Sequence, residues 1–138
     1  MCLWKQPKDC TEFLRTHLSP VATTPKKELA RLLDELCSKD LSIRQKAAKE
    51  LLNCGEMADK EMKKKMASQL PLEDRRRIEA ALRRSELNQL RYRRAIQALE
   101  YIGTTEAWEV IHRMSQGLAQ SEITREAVTT LKRRAKQR

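Results

Sequence analysis

The stretch RAIQALEYIGTTEA, residues 94–107, decides the fold of this 138-residue chain. Gly103 follows its apolar positions, and glycine commonly ends a helix because it adopts a left-handed backbone at little cost. Thr104 then offers a hydroxyl that can cap a following helix. The stretch therefore predicts two helices joined by a tight turn, an αα-hairpin. Three apolar residues, four and three positions apart, share one face of the first helix: Ala95, Leu99 and Ile102.

The same pattern occurs elsewhere in the chain. KAAKELLNCG at 46–55 aligns with RAIQALEYIG at 94–103, and EAVTTL at 126–131 repeats the alanine and leucine at the same spacing. Repeated helical hairpins are typical of a HEAT-like array. The corresponding positions are Ala47 with Ala95, Leu51 with Leu99, Gly55 with Gly103, and then Ala127 with Leu131.

Length and composition favour a single all-α domain over residues 1–138, with frayed ends at 1–6 and 134–138. Three glycines and four prolines leave little turn chemistry for a β-rich fold. No apolar run reaches the ~20 residues of a membrane helix, and the N-terminus lacks a signal-peptide core. The four cysteines form no C-x-x-C pair, so we expect a cytoplasmic protein with reduced, partly buried thiols.

Apolar periodicity predicts about eight helices. Thr24, Ser42 and Thr124 are expected to cap the second, third and last of them. Ser85 either caps the sixth helix after a tight turn at 85–88, or lies at a bend in one longer helix. In the sixth helix, Leu87 and Leu90 are expected to face inward with Leu99. The predicted helices span about 7–18, 25–37, 42–54, 57–68, 72–84, 86–102 and 105–116, and the last starts at 124.

The formal charge of +10 is concentrated in the middle and at the end of the chain. Residues 60–94 hold 12 basic and 5 acidic residues, and residues 125–138 hold 6 and 1. Such a surface could neutralise the phosphates of a nucleic acid. Interleaved acids favour a solvated, salt-bridged face instead, and Tyr92 is the only ring available there for base stacking. The candidate binding residues are Lys63, Lys64, Lys65, Arg76, Arg83, Arg84, Arg91, Arg93, Arg94 and Trp108.

Trp108 lies beside the inward stripe of the seventh helix. A tryptophan at this position can anchor a protein partner. We favour the simpler interpretation, in which its ring packs on the neighbouring helix at the rim of the core.

No pattern in the sequence indicates catalysis, a metal or a cofactor. His17 and His112 have no Cys or His at ligand spacing, and no glycine-rich phosphate loop or nucleophile motif occurs. Three acid–arginine combinations have the i,i+4 spacing of surface ion pairs rather than of a general-acid pair. They are Glu73 with Arg77, Arg75 with Glu79, and Glu79 with Arg83.

Several segments together resemble the HEAT-like helical domain that accompanies WD-repeat β-propellers in large bacterial proteins. The resemblance covers about residues 4–133 and is most specific at Leu99–Ala107 and Ile123–Leu131. The chain differs in a shorter linker before Leu90, in a higher Lys/Arg content and in lacking a propeller, which suggests a stand-alone fragment beginning near the start of that domain. The segments are FLRTHLSPV at 13–21, SKDLSIRQKAAKELLNCGE at 38–56, RRRIEAAL at 75–82, LRYRRAIQALEYIGTTEA at 90–107 and ITREAVTTLKR at 123–133.

The resemblance implies a scaffolding or interaction domain without known catalytic residues. We therefore expect a right-handed stack of about eight helices in HEAT-like αα-hairpins that binds a protein partner and no small-molecule substrate. The alternative is a HEAT-like protein that binds nucleic acid without sequence preference through the basic surface of residues 60–94.

Overall fold

The computed structural model describes residues 7–138, which form seven helices and no strand. The all-α prediction is confirmed for this part of the chain. The expected frayed segment 1–6, with Cys2 and Trp4, lies outside the described residues. The helices are α1 (Pro7–His17), α2 (Lys26–Leu36), α3 (Leu41–Cys54), α4 (Glu56–Met66), α5 (Leu72–Ile102), α6 (Thr105–Met114) and α7 (Glu122–Gln137).

The chain divides into two compact units, and the division falls within α5. Unit 1 consists of the described residues up to Val21 together with Leu90–Arg138, and unit 2 is Ala22–Gln89. The assignment of one domain to the whole chain stays a prediction, and each unit is described by itself below.

Unit 1 has an aliphatic core built around Leu99, which is 0% exposed. Its neighbours come from α1, α6 and α7, and Trp108 packs against the same core. Ile96 is also fully buried, whereas Ala95, which the sequence placed on the inward stripe, is half-buried. The buried residues are Cys10, Leu14, Leu18, Val21, Ile96, Leu99, Ala107, Val110, Ile111, Met114, Ile123 and Ala127.

Unit 2 has a separate core formed by α2, α3, α4 and the first part of α5. The four leucines of α2 that share one stripe in the sequence are all buried there. Ile43 lies in the first turn of α3 and is 41% exposed, whereas Ala47, Leu51 and Cys54 of the same helix are buried. The buried residues are Leu29, Leu32, Leu33, Leu36, Ala47, Leu51, Cys54, Ala58, Met62 and Ile78.

Helix α5 runs without a break through Ser85, where the sequence left a turn or a bend open. The segment 85–88 contains no glycine or proline to stop the helix. Ser85 is buried inside α5 and accepts a hydrogen bond from Gln89 Nε2 at 3.3 Å. The expectation that Leu87 and Leu90 face inward is wrong, since they are 56% and 39% exposed.

Three of the predicted helix caps, those of α2, α3 and α7, belong to other residues. Asp40 caps α3 by accepting a hydrogen bond from the Ser42 amide at 2.8 Å, so Ser42 itself lies in the first turn. The N-cap of α2 is Pro25, one residue after the expected Thr24, whose hydroxyl donates to Cys54 Sγ at 3.4 Å.

Helix α7 begins two residues before the expected Thr124, at Glu122, with Ser121 as N-cap. A carboxylate in the first turn is favourable beside the positive end of the helix dipole. Thr124 is consequently buried within the helix instead of capping it.

The hairpin at residues 94–107 has the predicted local geometry. Gly103 has φ of +68° and follows the end of α5, and its amide donates to Leu99 O at 3.0 Å. Thr104 accepts a hydrogen bond from the Ala107 amide at 3.2 Å as N-cap of α6. Gly55, at the corresponding position of the earlier repeat, has φ of +60° between α3 and α4. Both glycines therefore supply the backbone conformation that ends a helix abruptly.

Replacing Gly103 with valine is expected to lower the free energy of unfolding by roughly 1–3 kcal/mol. The cause is backbone strain and not crowding, because an added Cβ would lie 3.7 Å from its nearest neighbour, Glu100 O. Gly103→Asn is the control, since asparagine tolerates positive φ better than valine does. Urea denaturation of both variants checks this. Equal losses for valine and asparagine would contradict the backbone explanation.

Candidate interaction surfaces

The predicted basic residues divide between the two units. Lys63, Lys64, Lys65, Arg76, Arg83 and Arg84 belong to unit 2, and Arg91, Arg93 and Arg94 belong to unit 1. Each group is therefore a separate candidate surface.

Some cations of unit 2 already have acidic partners. Lys65 Nζ lies 2.7 Å from Asp34 Oδ1, and Lys64 Nζ lies 3.1 Å from Glu61 Oε1. Such exposed pairs contribute only about 0–1 kcal/mol each to the free energy of unfolding. They nevertheless place an acidic group beside each of these two lysines. Among residues 7–138, four cations of this group have no acidic oxygen within ion-pair distance: Lys63, Arg76, Arg83 and Arg84.

Only one of the three i,i+4 combinations predicted on α5 forms an ion pair. Arg77 Nη2 lies 2.8 Å from Glu73 Oε1, and its Nη1 lies 3.4 Å from Asp74 Oδ1. Within the described residues, neither combination involving Glu79 comes into ion-pair contact. Arg83 is consequently available to a ligand in solution.

The exposed face of α5 in unit 2 carries a regular row of side chains, here named the outer stripe. Its members follow one another at spacings of four, four, three and four residues, which keeps them on one side of a helix. All five are exposed, and the two leucines are 64% and 56% exposed. The outer stripe consists of Leu72, Arg76, Ala80, Arg83 and Leu87.

In unit 1, the predicted arginines differ in their environment. Arg93 Nη2 pairs with Glu122 of α7, whereas Arg91 and Arg94 are exposed and, in the described part of the chain, unpaired. Tyr101 projects from the end of α5 and is 94% exposed. Tyr92, the ring considered for base stacking, packs instead against the core of unit 1.

Trp108 is half-buried and lies under a cation of the adjacent helix. The Arg134 guanidinium carbon is 4.4 Å from the centroid of the indole ring. A guanidinium at this distance is attracted by the π face and covers it. The indole face is thus occupied within unit 1.

An open groove of about 760 Å³ lies in unit 2, lined by α2 and α3. Its lining includes Ala30 and Ile43 together with side chains of both signs of charge. Arg31 takes part in ion pairs with Glu28 and Glu35, and its hydrogen bond lowers the pKa of the Glu28 carboxyl. The groove therefore presents no single sign of charge that would select a ligand.

A partly buried polar cluster connects α4 and α5 in unit 2. Gln89 Nε2 donates to Asp59 Oδ2 at 2.7 Å and also to Ser85 Oγ. The sequence analysis did not link Ser85 and Gln89 to Asp59, because they are 26 and 30 positions from it and no local pattern connects them. The arrangement fixes side chains across a helix interface and contains no nucleophile–base pair.

Over residues 7–138, no three His, Cys, Asp or Glu side chains are placed to hold a metal ion. No helix in this range is long and apolar enough to cross a membrane. The three described cysteines are free, and burial raises the pKa of the Cys10 and Cys37 thiols. His17 is exposed and stacks on Phe13 at 4.0 Å between ring centroids.

The chain matches no protein-family model, no curated protein and no solved structure at a significant level.

Proposed function

We propose that this chain is a non-enzymatic helical scaffold that binds a protein partner. The observation that carries the proposal is the exposure of large apolar side chains along α5. Leu72 and Leu87 in unit 2, and Tyr101 in unit 1, each expose more than half of their surface. Large apolar and aromatic side chains that a helix exposes are candidate contacts for a protein partner.

The proposal includes HEAT-like αα-hairpins stacked with a right-handed sense, as in domains that accompany WD-repeat propellers. Its support is the internal repeat: Leu51 and Leu99 are both buried, and Gly55 and Gly103 both have positive φ. These two pairs of equivalent positions thus have the same structural roles, whereas Ala47 is buried and its counterpart Ala95 is half-buried.

Nucleic-acid binding is the second candidate, and a specific observation favours it. Arg76, Arg83 and Arg84 in unit 2, and Arg91 and Arg94 in unit 1, are exposed cations without acidic partners in residues 7–138. Their affinity for a polyanion would come from counterion release, because Tyr92 is not available for stacking.

The triple variant Arg91→Gln, Arg93→Gln, Arg94→Gln separates the two candidates. If these arginines contact phosphates, the slope of log K against log salt falls by about 0.9 per lost contact in duplex DNA. Under the scaffold proposal we expect weak binding of duplex DNA, undetectable near physiological salt and unchanged in the variant. Titration of a labelled duplex at several salt concentrations measures this.

A matched control replaces Lys27, Lys39 and Lys49, three exposed cations of unit 2, with glutamine. Submicromolar binding of DNA near physiological salt, lost in the arginine variant and kept in the lysine control, would overturn the scaffold proposal. A pull-down from native cells, with and without nuclease, tests directly whether a protein partner is retained.

A further inference from the structure

The outer stripe of α5 has the geometry of a surface that receives another helix. Spacings of four and three residues are those by which one helix packs along a second. Leu72 and Leu87 stand at the two ends of the stripe, about 22 Å apart along the axis. Ala80 lies midway, where its small side chain permits close approach of a partner backbone. The stripe is therefore long enough to contact about four turns of a bound helix.

The charge of the stripe is of one sign. Arg76 and Arg83 alternate with the apolar members, and neither forms an ion pair within residues 7–138. Arg77, the neighbouring cation, is already engaged by Glu73 and Asp74. A partner helix that covers Leu72 and Leu87 must consequently place carboxylates opposite these two guanidinium groups, because burying an unpaired charge is costly.

The surroundings of the outer stripe disfavour two other ligands, a nucleic-acid duplex and a second copy of this chain. Glu79 and Glu86 lie seven residues apart along one edge, so a uniformly negative duplex would meet like charge there. The leucines have no aromatic ring beside them in the stripe for base stacking. A second copy of the chain would bring arginine against arginine if the same stripes paired. An acidic amphipathic helix of another protein avoids the arginine–arginine contact and can direct its few carboxylates to Arg76 and Arg83.

We infer that the outer stripe, Leu72–Arg76–Ala80–Arg83–Leu87, is a docking site for an amphipathic helix of another protein. The partner helix carries apolar residues along its seam and Glu or Asp at the levels of Arg76 and Arg83. This inference rests on the proposed scaffold function and identifies the chemical class of its partner.

The test uses the full chain and a designed, fluorescein-labelled helical peptide of about three heptads. The peptide has Leu at the seam and Glu at two seam positions that match the arginines. A second peptide of identical composition has a scrambled order without a seam. Fluorescence anisotropy at two salt concentrations measures both affinities. We expect the ordered peptide to bind at least about tenfold more tightly than the scrambled one, and more weakly at high salt.

Charge reversal supplies the decisive comparison. Arg76→Glu with Arg83→Glu is expected to weaken binding of the ordered peptide by about tenfold or more. A third peptide, with Lys in place of the two seam Glu residues, is expected to recover binding to that variant. Lys39→Glu with Lys49→Glu produces the same change in net charge at exposed positions outside the stripe and is expected to leave affinity within about twofold.

The apolar part of the site is tested by Leu72→Ser with Leu87→Ser. Both leucines are more than half exposed, so we expect the variant to fold. Its circular dichroism spectrum should match that of the parent chain. Its affinity for the ordered peptide is expected to fall by about tenfold while the salt dependence stays as in the parent chain.

Several outcomes would overturn the inference. These are equal affinity for ordered and scrambled peptides, no effect of the arginine reversal, or no recovery with the Lys peptide. Tighter binding of duplex DNA, lost in the same arginine variant, would assign the stripe to nucleic acid. A dimer abolished by that variant would assign it to self-association. The native-cell pull-down distinguishes failure of this inference from failure of the scaffold proposal. If the Arg76→Glu, Arg83→Glu variant still retains a protein partner, the scaffold proposal stands and its binding site lies elsewhere.

Discussion

Leu99→Ala is expected to lower the free energy of unfolding by roughly 2–5 kcal/mol. The side chain is 0% exposed in the core of unit 1, so its removal loses apolar burial and leaves a cavity. Its neighbours in that core are themselves buried and closely packed, so they have little freedom to close the gap. Urea denaturation of the full chain, followed by circular dichroism, measures the change.

The matched control is Leu90→Ala on the same helix and in the same unit. Leu90 is 39% exposed, and we expect its truncation to cost about 1 kcal/mol or less. A loss below about 0.5 kcal/mol for Leu99→Ala would place Leu99 at the surface and refute the register of the hairpin.

Gly117→Val is expected to cost roughly 3 kcal/mol for a different reason. A Cβ at this position would lie 2.8 Å from Val21 N and 2.9 Å from Thr124 Oγ1. The first of these atoms is backbone and cannot rotate away, and the Leu118 amide donates to Val21 O at 2.7 Å in the same contact. The added side chain therefore forces the two segments apart and breaks that hydrogen bond.

Ala119→Val is the control for this prediction, because Ala119 is exposed two residues further along the same loop. We expect its stability to stay within about 0.5 kcal/mol of the parent chain. Thermal and urea denaturation compare the two variants. Equal stability of Gly117→Val and Ala119→Val would contradict the close approach of Val21 to Gly117.

The candidate binding surface shows how far sequence reasoning extends. Arg76 and Arg83 were recognisable from charge alone as candidate contacts. Leu87, by contrast, was predicted to face inward, and the structure exposes it. A 3–4 repeat indicates that residues share a side of a helix, but it does not say which side is buried when two sides both carry leucine.

The sequence by itself determined the features that depend on neighbours within about one helical turn. The leucine stripe of α2, the left-handed Gly103 and the Thr104 cap follow from local periodicity and backbone preference, and the structure has all three. Tertiary structure decided the rest. Ser85 is helical and buried, and it accepts a hydrogen bond from Gln89, which also donates to Asp59. Arg93 is paired with Glu122, 29 residues away. Packing and ion pairing between residues distant in sequence override local preference, because their free energies arise only when the helices are brought together.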